Sequence, residues 1–425
     1  MTVYLLGFAL FLAIGIPVAL SLGLSSLLYL VISGNYHLMV AFPQRMIAGI
    51  DQFVLLTIPF FILAGNLMNA ANLTQEIVRF AQLIVGRVRG GLAAVSIVAA
   101  MMFSGVSGAA TAEASALGSV MIPAMRRAGY SASYAAALTA GGSLLGPLVP
   151  PSLAMIIYGV LTGTSIADLF LAGIGPALVL CAALIVYALW KARRENHPLP
   201  PPLDRGERRS AVIGAVPALM LPVIIVGGIR GGIFTPTEAA AVAAFYALVI
   251  GVVLYRTLGA RTIWHCLFET ASMSAGIMLI VAMASMTSFI LGFENVPRTL
   301  AGLILGVTSD PTLLLLLLNV LLLILGLFLE PLAALILAMP ILNELIPVTG
   351  LDRVQFGVMV VLNLMIGMIT PPVGLCLFIV GSIGKVSLEE VSRSALPFIA
   401  ISVGVLILVA FVPPVSLFLP QLFPD

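Results

Sequence analysis

Apolar runs that break at mid-depth constrain this chain more than any other feature. The first, residues 103–163, opens as Phe-Ser-Gly-Val-Ser-Gly-Ala-Ala-Thr-Ala-Glu (103–113) and stays apolar to Pro123. It turns through Met125-Arg126-Arg127-Ala128-Gly129, then re-enters an apolar run interrupted by Gly-Pro-Leu-Val-Pro-Pro-Ser (146–152). A helix needs roughly 20 apolar residues to cross a hydrocarbon core of about 30 Å, and both halves of this stretch carry Gly, Pro, Ser or an acid on the way. Broken backbone at that depth is tolerated only where it is buried in protein or lines a cavity, because lipid satisfies no peptide group. The device recurs: Gly326-Leu327-Phe328-Leu329-Glu330-Pro331 precedes a span interrupted by Thr370-Pro371-Pro372-Val373-Gly374. Two interrupted segments at matching positions of two halves point to the binding site of a transporter.

The rest of the composition agrees. Hydrophobic residues make up 61% of the 425 and charged ones 8%, against about 25% charged in soluble domains. The chain therefore reads as an all-α polytopic membrane protein. A net charge of +2 gives no reason to expect a nucleic-acid partner. Cys181, Cys266 and Cys376 lie in apolar surroundings without CxxC or zinc-type spacing, so they read as small packing residues. Met1-Thr2-Val3-Tyr4 has no basic region and no cleavage site after the first apolar run, so that run is expected to remain as a membrane segment.

Basic residues orient the spans, because short cytoplasmic loops collect Lys and Arg. Lys191, Arg193, Arg194, Arg205, Arg208 and Arg209 surround a Pro-rich linker, which makes residues 191–210 cytoplasmic. Counting back puts Arg126 and Arg127 on the same side, together with Arg87 and Arg89. Residues 92–124 then enter and leave on one face as a re-entrant hairpin, followed by an interrupted helix at 132–158. After the linker the order repeats upside down, with a second hairpin at 312–345 entered from outside and an interrupted helix at 354–383.

The division is a first inverted repeat, 1–190, with outer helices in 1–91, and a second, 211–425, with outer helices in 211–291. The two stretches that begin at Ile14-Gly15-Ile16-Pro17 and at Gly232-Ile233-Phe234-Thr235-Pro236 resemble each other. Inverted repeats require an odd number of crossings each. The apolar block from Val3 to Ser33 is therefore divided in two, giving ten crossings and two hairpins. Residues 35–51 read as a loop.

Ser104, Gly105, Ser107, Gly108 and Thr111 make the first hairpin tip small and rich in oxygen. Glycine allows close backbone approach, while hydroxyls and freed carbonyls are hard ligands. Facing Gly146, Pro150, Pro151 and Ser152, whose prolines release carbonyls from helical bonding, the tip reads as a Na⁺ site; close helix packing is the alternative. Thr370, Pro371, Pro372 and Gly374 with the Leu329–Ala334 tip form the mirror candidate, and there a structural kink is the simpler account.

Glu113, Glu238 and Glu330 are acids in apolar surroundings, which makes function the default reading. Each also has a capping alternative. Glu330 before Pro331 resembles a first-turn acid, and Thr235-Pro236-Thr237-Glu238 has the form of a capping box, the role adopted here for Glu238. The three histidines, His37, His197 and His265, fall at or near loops, so Na⁺ suits the coupling ion better than H⁺. No nucleophile elbow, Walker sequence or metal-ligand spacing argues for an enzyme. The Leu-rich run 313–325 reads as a lipid-facing or packing arm.

Several of these motifs, in this order, resemble the large membrane subunit of TRAP transporters, the DctM-like proteins. They are residues 103–118, Ile-Pro-Ala-Met (122–125), 146–152, Gly-Gly-Ile-Arg-Gly-Gly-Ile-Phe-Thr-Pro-Thr-Glu-Ala-Ala-Ala (227–241) and Asn-Leu-Met-Ile-Gly-Met-Ile-Thr-Pro-Pro-Val-Gly (363–374). The resemblance implies a Na⁺-coupled, elevator-type secondary importer of the bacterial inner membrane. In such a protein a scaffold holds a transport domain built from the hairpins and interrupted helices.

It also implies a small DctQ-like membrane subunit, expected here as a separate protein, and a periplasmic DctP-like binding protein. That binding protein delivers an organic acid such as a C4-dicarboxylate or a sialic acid. By motif position Ser107, Glu113 and Glu330 match residues that handle ion or substrate, and Glu238 matches one needed for transport. Family members commonly have Asp where this chain has Glu113, and often where it has Glu330. The extra methylene moves each carboxylate by about one bond. Two other readings stay open: a self-sufficient dicarboxylate carrier, and a membrane-embedded hydrolase or transferase using Glu113 and Glu330 as an acid/base pair.

Overall fold

The computed structural model describes residues 2–88, 90–195 and 205–423, without the side chains of Ser107 and Arg205. Arg89, His197 and the centre of the 191–210 linker lie outside the described residues, as does the Ser107 side chain. The first half consists of α1 (Thr2–Ala13), α2 (Val18–Ile32), α3 (Ala41–Ile50), α4 (Thr57–Ala70), α5 (Leu73–Val85), α6 (Gly91–Ser107), α7 (Ala110–Arg127), α8 (Ala132–Ser143), α9 (Leu153–Thr162) and α10 (Ile166–Arg194). The second comprises α11 (Arg205–Arg230), α12 (Pro236–Val249), α13 (Ala260–Phe293), α14 (Val296–Val307), α15 (Pro311–Phe328), α16 (Pro331–Thr349), α17 (Arg353–Gly367), α18 (Leu375–Gly384), α19 (Leu388–Phe411) and α20 (Pro414–Leu422). Eight helices among the described residues are long and apolar enough to cross a membrane, α15 and α16 included. The protein is a multi-pass membrane protein. The chain does divide between α1 and α2, but at 12 and 15 residues each is shorter than the roughly 20 of a plain span.

Gly and Pro placement explains most boundaries. α2 begins after Pro17, whose ring fixes φ and supplies no N–H, and Gly15 turns the chain at φ +85°. The expected loop at 35–51 is largely helical, a short 3₁₀ turn at Tyr36–Val40 running into α3. Pro43, Gln44 and Arg45 thin its apolar run until it resembles a loop, but the helix packs against α13, and Arg45 lies 4.4 Å over the Phe289 ring. α14 and α20, at 12 and 9 residues, are additional helices that are too short to stand out in the sequence as spans.

At the start of α12 the capping box forms as expected. Thr235 Oγ1 accepts from the Glu238 amide at 3.3 Å, and Glu238 Oε2 accepts from the Thr235 amide at 2.8 Å. Thr235→Ala is expected to cost about 1 kcal/mol of stability, read as a lower unfolding midpoint of the detergent-purified protein.

The centre is a group of short helices around two helix-turn-helix hairpins. α7 packs on α8 and α18, α15 on α17, and α16 on α9 and α17. Around them α4 pairs with α12, α13 runs along α2, α3 and α4, and α5 lies between α6 and α11.

The hairpin α6–α7 opens at the end of the molecule that holds residues 191–195. There Gly90 abuts Ala192, Arg126 Nη1 donates to the Gly384 carbonyl at 3.3 Å, and Lys191 sits 4.9 Å over the Tyr134 ring. At the other end Tyr158 Oη donates to the Arg353 carbonyl at 2.8 Å, and Arg353 Nη1 to that of Thr162 at 3.3 Å. The second arm of the other hairpin, α16, finishes beside this end, at Thr349. The Arg230–Asp168 ion pair joins the end of α11 to the start of α10.

Candidate ion and substrate site

The first hairpin turns at Gly108, whose φ of +61° is accessible to glycine at little cost. A methyl group there would lie 2.3 Å from the Pro151 carbonyl oxygen, so the tip rests directly on the break between α8 and α9. Gly105, one turn earlier, faces the Pro222 ring and the Pro150 carbonyl. This contact brings two helix C-termini, of α6 and α8, close to two N-termini, of α7 and α9. Freed carbonyls at the former favour a cation, and freed N–H groups at the latter favour an anion.

Glu113, in the first turn of α7, is fully buried at the centre of this arrangement. Its Oε2 lies 3.0 Å from Ser104 Oγ, and a methyl on Gly146 would meet the same oxygen at 2.6 Å. Its Oε1 is buried without a hydrogen-bond partner among the described residues. Ser104 Oγ is also 2.7 Å from the Ala100 carbonyl, and one hydroxyl proton cannot serve two acceptors. The cluster is therefore short of positive charge or protons. Ser143, at the end of α8, and Cys376, at the start of α18, complete it, with the thiol beside the Ser143 hydroxyl and within electrostatic reach of Glu113. Neither was expected from sequence. The only hint was position, since Ser143 stands just before the 146–152 break and Cys376 just after Gly374.

Ser104, Gly105, Gly108, Glu113, Gly146, Pro150 and Pro151 are thus brought together. Ser152 caps α9, accepting from the Met155 amide at 3.3 Å. Thr111 points elsewhere: two residues from Glu113, it faces the opposite side of α7 and lines a cavity of about 810 Å³ against α4, α5 and α13. In contrast to α9, α7 has no side-chain cap at Ala109, the residue before its first turn, which lies beside that cavity.

The second hairpin is built differently. Glu330 Oε2 accepts from the Leu332 and Ala333 amides at 3.1 and 3.2 Å, so the carboxylate caps its own helix. Thr370 Oγ1 donates to the Ile366 carbonyl at 2.7 Å, and Pro371, Pro372 and Gly374, the last at φ +54°, carry the chain from α17 to α18. The hairpin meets this broken helix at Gly326, against Gly367. The Leu-rich arm is a packing arm with a polar rivet: Asn363 Nδ2 donates to Asn319 Oδ1 at 2.7 Å and to its carbonyl at 2.9 Å. Glu238 is exposed in its capping box, away from both breaks.

Helical hairpins resting on two broken helices, around a buried carboxylate and a polar cavity, define a membrane transporter of the secondary-carrier type. The chain belongs to the family described as "Tripartite ATP-independent periplasmic transporter, DctM component", whose family model matches residues 5–415. It is 43% identical over 380 residues, 89% of each chain, to the sialic acid TRAP transporter large permease protein SiaM of Vibrio cholerae. It is 36% identical over 370 residues to the 2,3-diketo-L-gulonate permease YiaN of Escherichia coli, and 37% over 371 to the C4-dicarboxylate permease DctM of Pseudomonas aeruginosa, covering 87% of each chain in both cases. Among solved structures, the Alcanivorax borkumensis YdaH transporter matches with a TM-score of 0.66 over 90% of both chains at 14% identity, a likeness of fold. The relatives are permeases, and this protein is a transporter and not an enzyme.

Proposed function

We propose that the chain is the large permease subunit of a Na⁺-coupled importer of an organic acid, working by an elevator movement in the bacterial inner membrane. The observation that carries this reading is the buried, unpartnered Oε1 of Glu113 beside Ser104, at the meeting of two helix C-termini. Na⁺ bound there supplies the missing positive charge. Glu113 and Ser104 offer side-chain oxygens, and the carbonyls of Pro150 and Pro151 reach the tip at Gly105 and Gly108. This is the hard-oxygen environment that alkali cations favour. The uncapped N-terminus of α7 seats the substrate carboxylate by its amides and dipole, so ion and anion lie on neighbouring ends of one hairpin. Glu330 plays the corresponding part for α16 with the protein's own carboxylate.

The family description is of a tripartite system, and relatives carry sialic acid, 2,3-diketo-L-gulonate or C4-dicarboxylates. By analogy this chain works with a small DctQ-like membrane subunit and a periplasmic DctP-like binding protein that hands over the acid. Purified protein is expected to gain thermal stability as Na⁺ replaces K⁺ at constant ionic strength, with a saturating response. Identical midpoints in the two salts would remove the ion site from this account.

A further inference from the structure

The cavity of about 810 Å³ beside the first hairpin lies between α4 and α5 on one side and α7 and α13 on the others. Its volume is that of a site for a mid-sized organic molecule, roomier than a four-carbon diacid needs. The walls mix polar groups with apolar ones from Val120, Phe268 and Met273, and carry few titratable groups. α7 presents Thr111, Ser115 and Ser119 at four-residue intervals, one face of a helix. Opposite stand the carboxamides of Asn66, Asn69 and Gln75, each pairing a donor with an acceptor.

Among the described residues neither Lys nor Arg lines the cavity; its titratable wall residues are Glu269 and its 3.2 Å partner His265. Gln75 and Ser115 are exposed at the cavity wall, and their side chains make no hydrogen bond within the protein among the described residues, which leaves their polar groups open to a ligand.

A second carboxylate would find no guanidinium or ammonium here and would meet Glu269, an unfavourable like-charge approach. Hydroxyl groups, by contrast, match walls in which donors and acceptors alternate. Resting on the reading that α7 seats a carboxylate at its N-terminus, we propose that this cavity holds the uncharged, hydroxylated part of the substrate. The transported acid is then a polyhydroxylated monocarboxylate of sugar-acid size rather than a short dicarboxylate.

The test is ligand binding to the purified chain in Na⁺, followed by calorimetry or thermal stabilisation, with gluconate, succinate and glucose as probes. Gluconate is expected to bind at least tenfold more tightly than either succinate or glucose. Gln75→Leu and Ser115→Ala are each expected to weaken gluconate fivefold or more, and stabilisation of each variant by Na⁺ reports that it is folded. Succinate binding as tightly as gluconate, or gluconate binding unchanged in both variants, overturns the assignment. Succinate binding without gluconate overturns it while leaving the carboxylate seat standing. Stabilisation by Na⁺ with no response to either acid overturns both.

Discussion

Glu113→Gln is expected to abolish most of the stabilisation by Na⁺ and to reduce Na⁺-driven uptake at least tenfold, with the protein still folded. The substitution keeps the shape of a fully buried side chain that lies 3.0 Å from Ser104 and removes the charge. A hydrogen bond or contact to a charged group contributes about 1.5–3 kcal/mol, which corresponds to roughly ten- to a hundredfold in affinity. The amide also places donors where Ser104 and a cation would both be served by an acceptor. Na⁺ titrations followed by thermal unfolding, run beside wild type, check the first part, and reconstituted uptake the second. An unchanged Na⁺ midpoint would make Glu113 a structural acid.

Gly367→Ala carries the second large effect, through packing. A methyl group at this position would sit 2.4 Å from the carbonyl carbon and oxygen of Gly326, and backbone rather than a flexible side chain is what must give way. Overpacking costs about 1–3 kcal/mol where side chains can shift, so at least the upper end is expected. The second hairpin would be pushed off its broken helix. Loss of both thermal stability and uptake is the expected readout. The control is Gly404→Ala, where nothing lies within 4 Å. It should be neutral, or stabilising by up to about 1 kcal/mol, because Ala is the better helix former.

Much of the molecule was readable from punctuation. Gly108, Pro150-Pro151 and Pro371-Pro372 mark turns and breaks wherever they stand, because their backbone constraints are local. The hairpin tips and broken helices could therefore be placed to within a few residues. The capping of α12 by Thr235 and Glu238 was readable for the same reason, as was the alternative that Glu330 caps its own helix.

What escaped depends on partners far away in sequence. α3 is held by α13, more than two hundred residues later, and its own composition thins to that of a loop. Ser143 and Cys376 join Glu113 only because α8 and α18 both pack on α7. The cavity polar groups at Asn66, Gln75 and Ser115 belong to three helices, and singly each resembles an ordinary surface residue. Thr111 and Glu113 are near neighbours in the chain, so sequence alone assigns them to one tip. The helical turn sends them to opposite sides, one to the buried cluster and the other to the cavity.

The most direct test of the central proposal is uptake of radiolabelled organic acids into proteoliposomes. These would hold this chain with its small membrane subunit, with and without the binding protein, under an inward Na⁺ gradient or an equal K⁺ gradient. Accumulation that requires Na⁺ and the binding protein together is the result expected. Accumulation at the same rate in K⁺ would contradict the ion assignment at Glu113, and Na⁺-driven accumulation without any binding protein would make the chain a self-sufficient carrier.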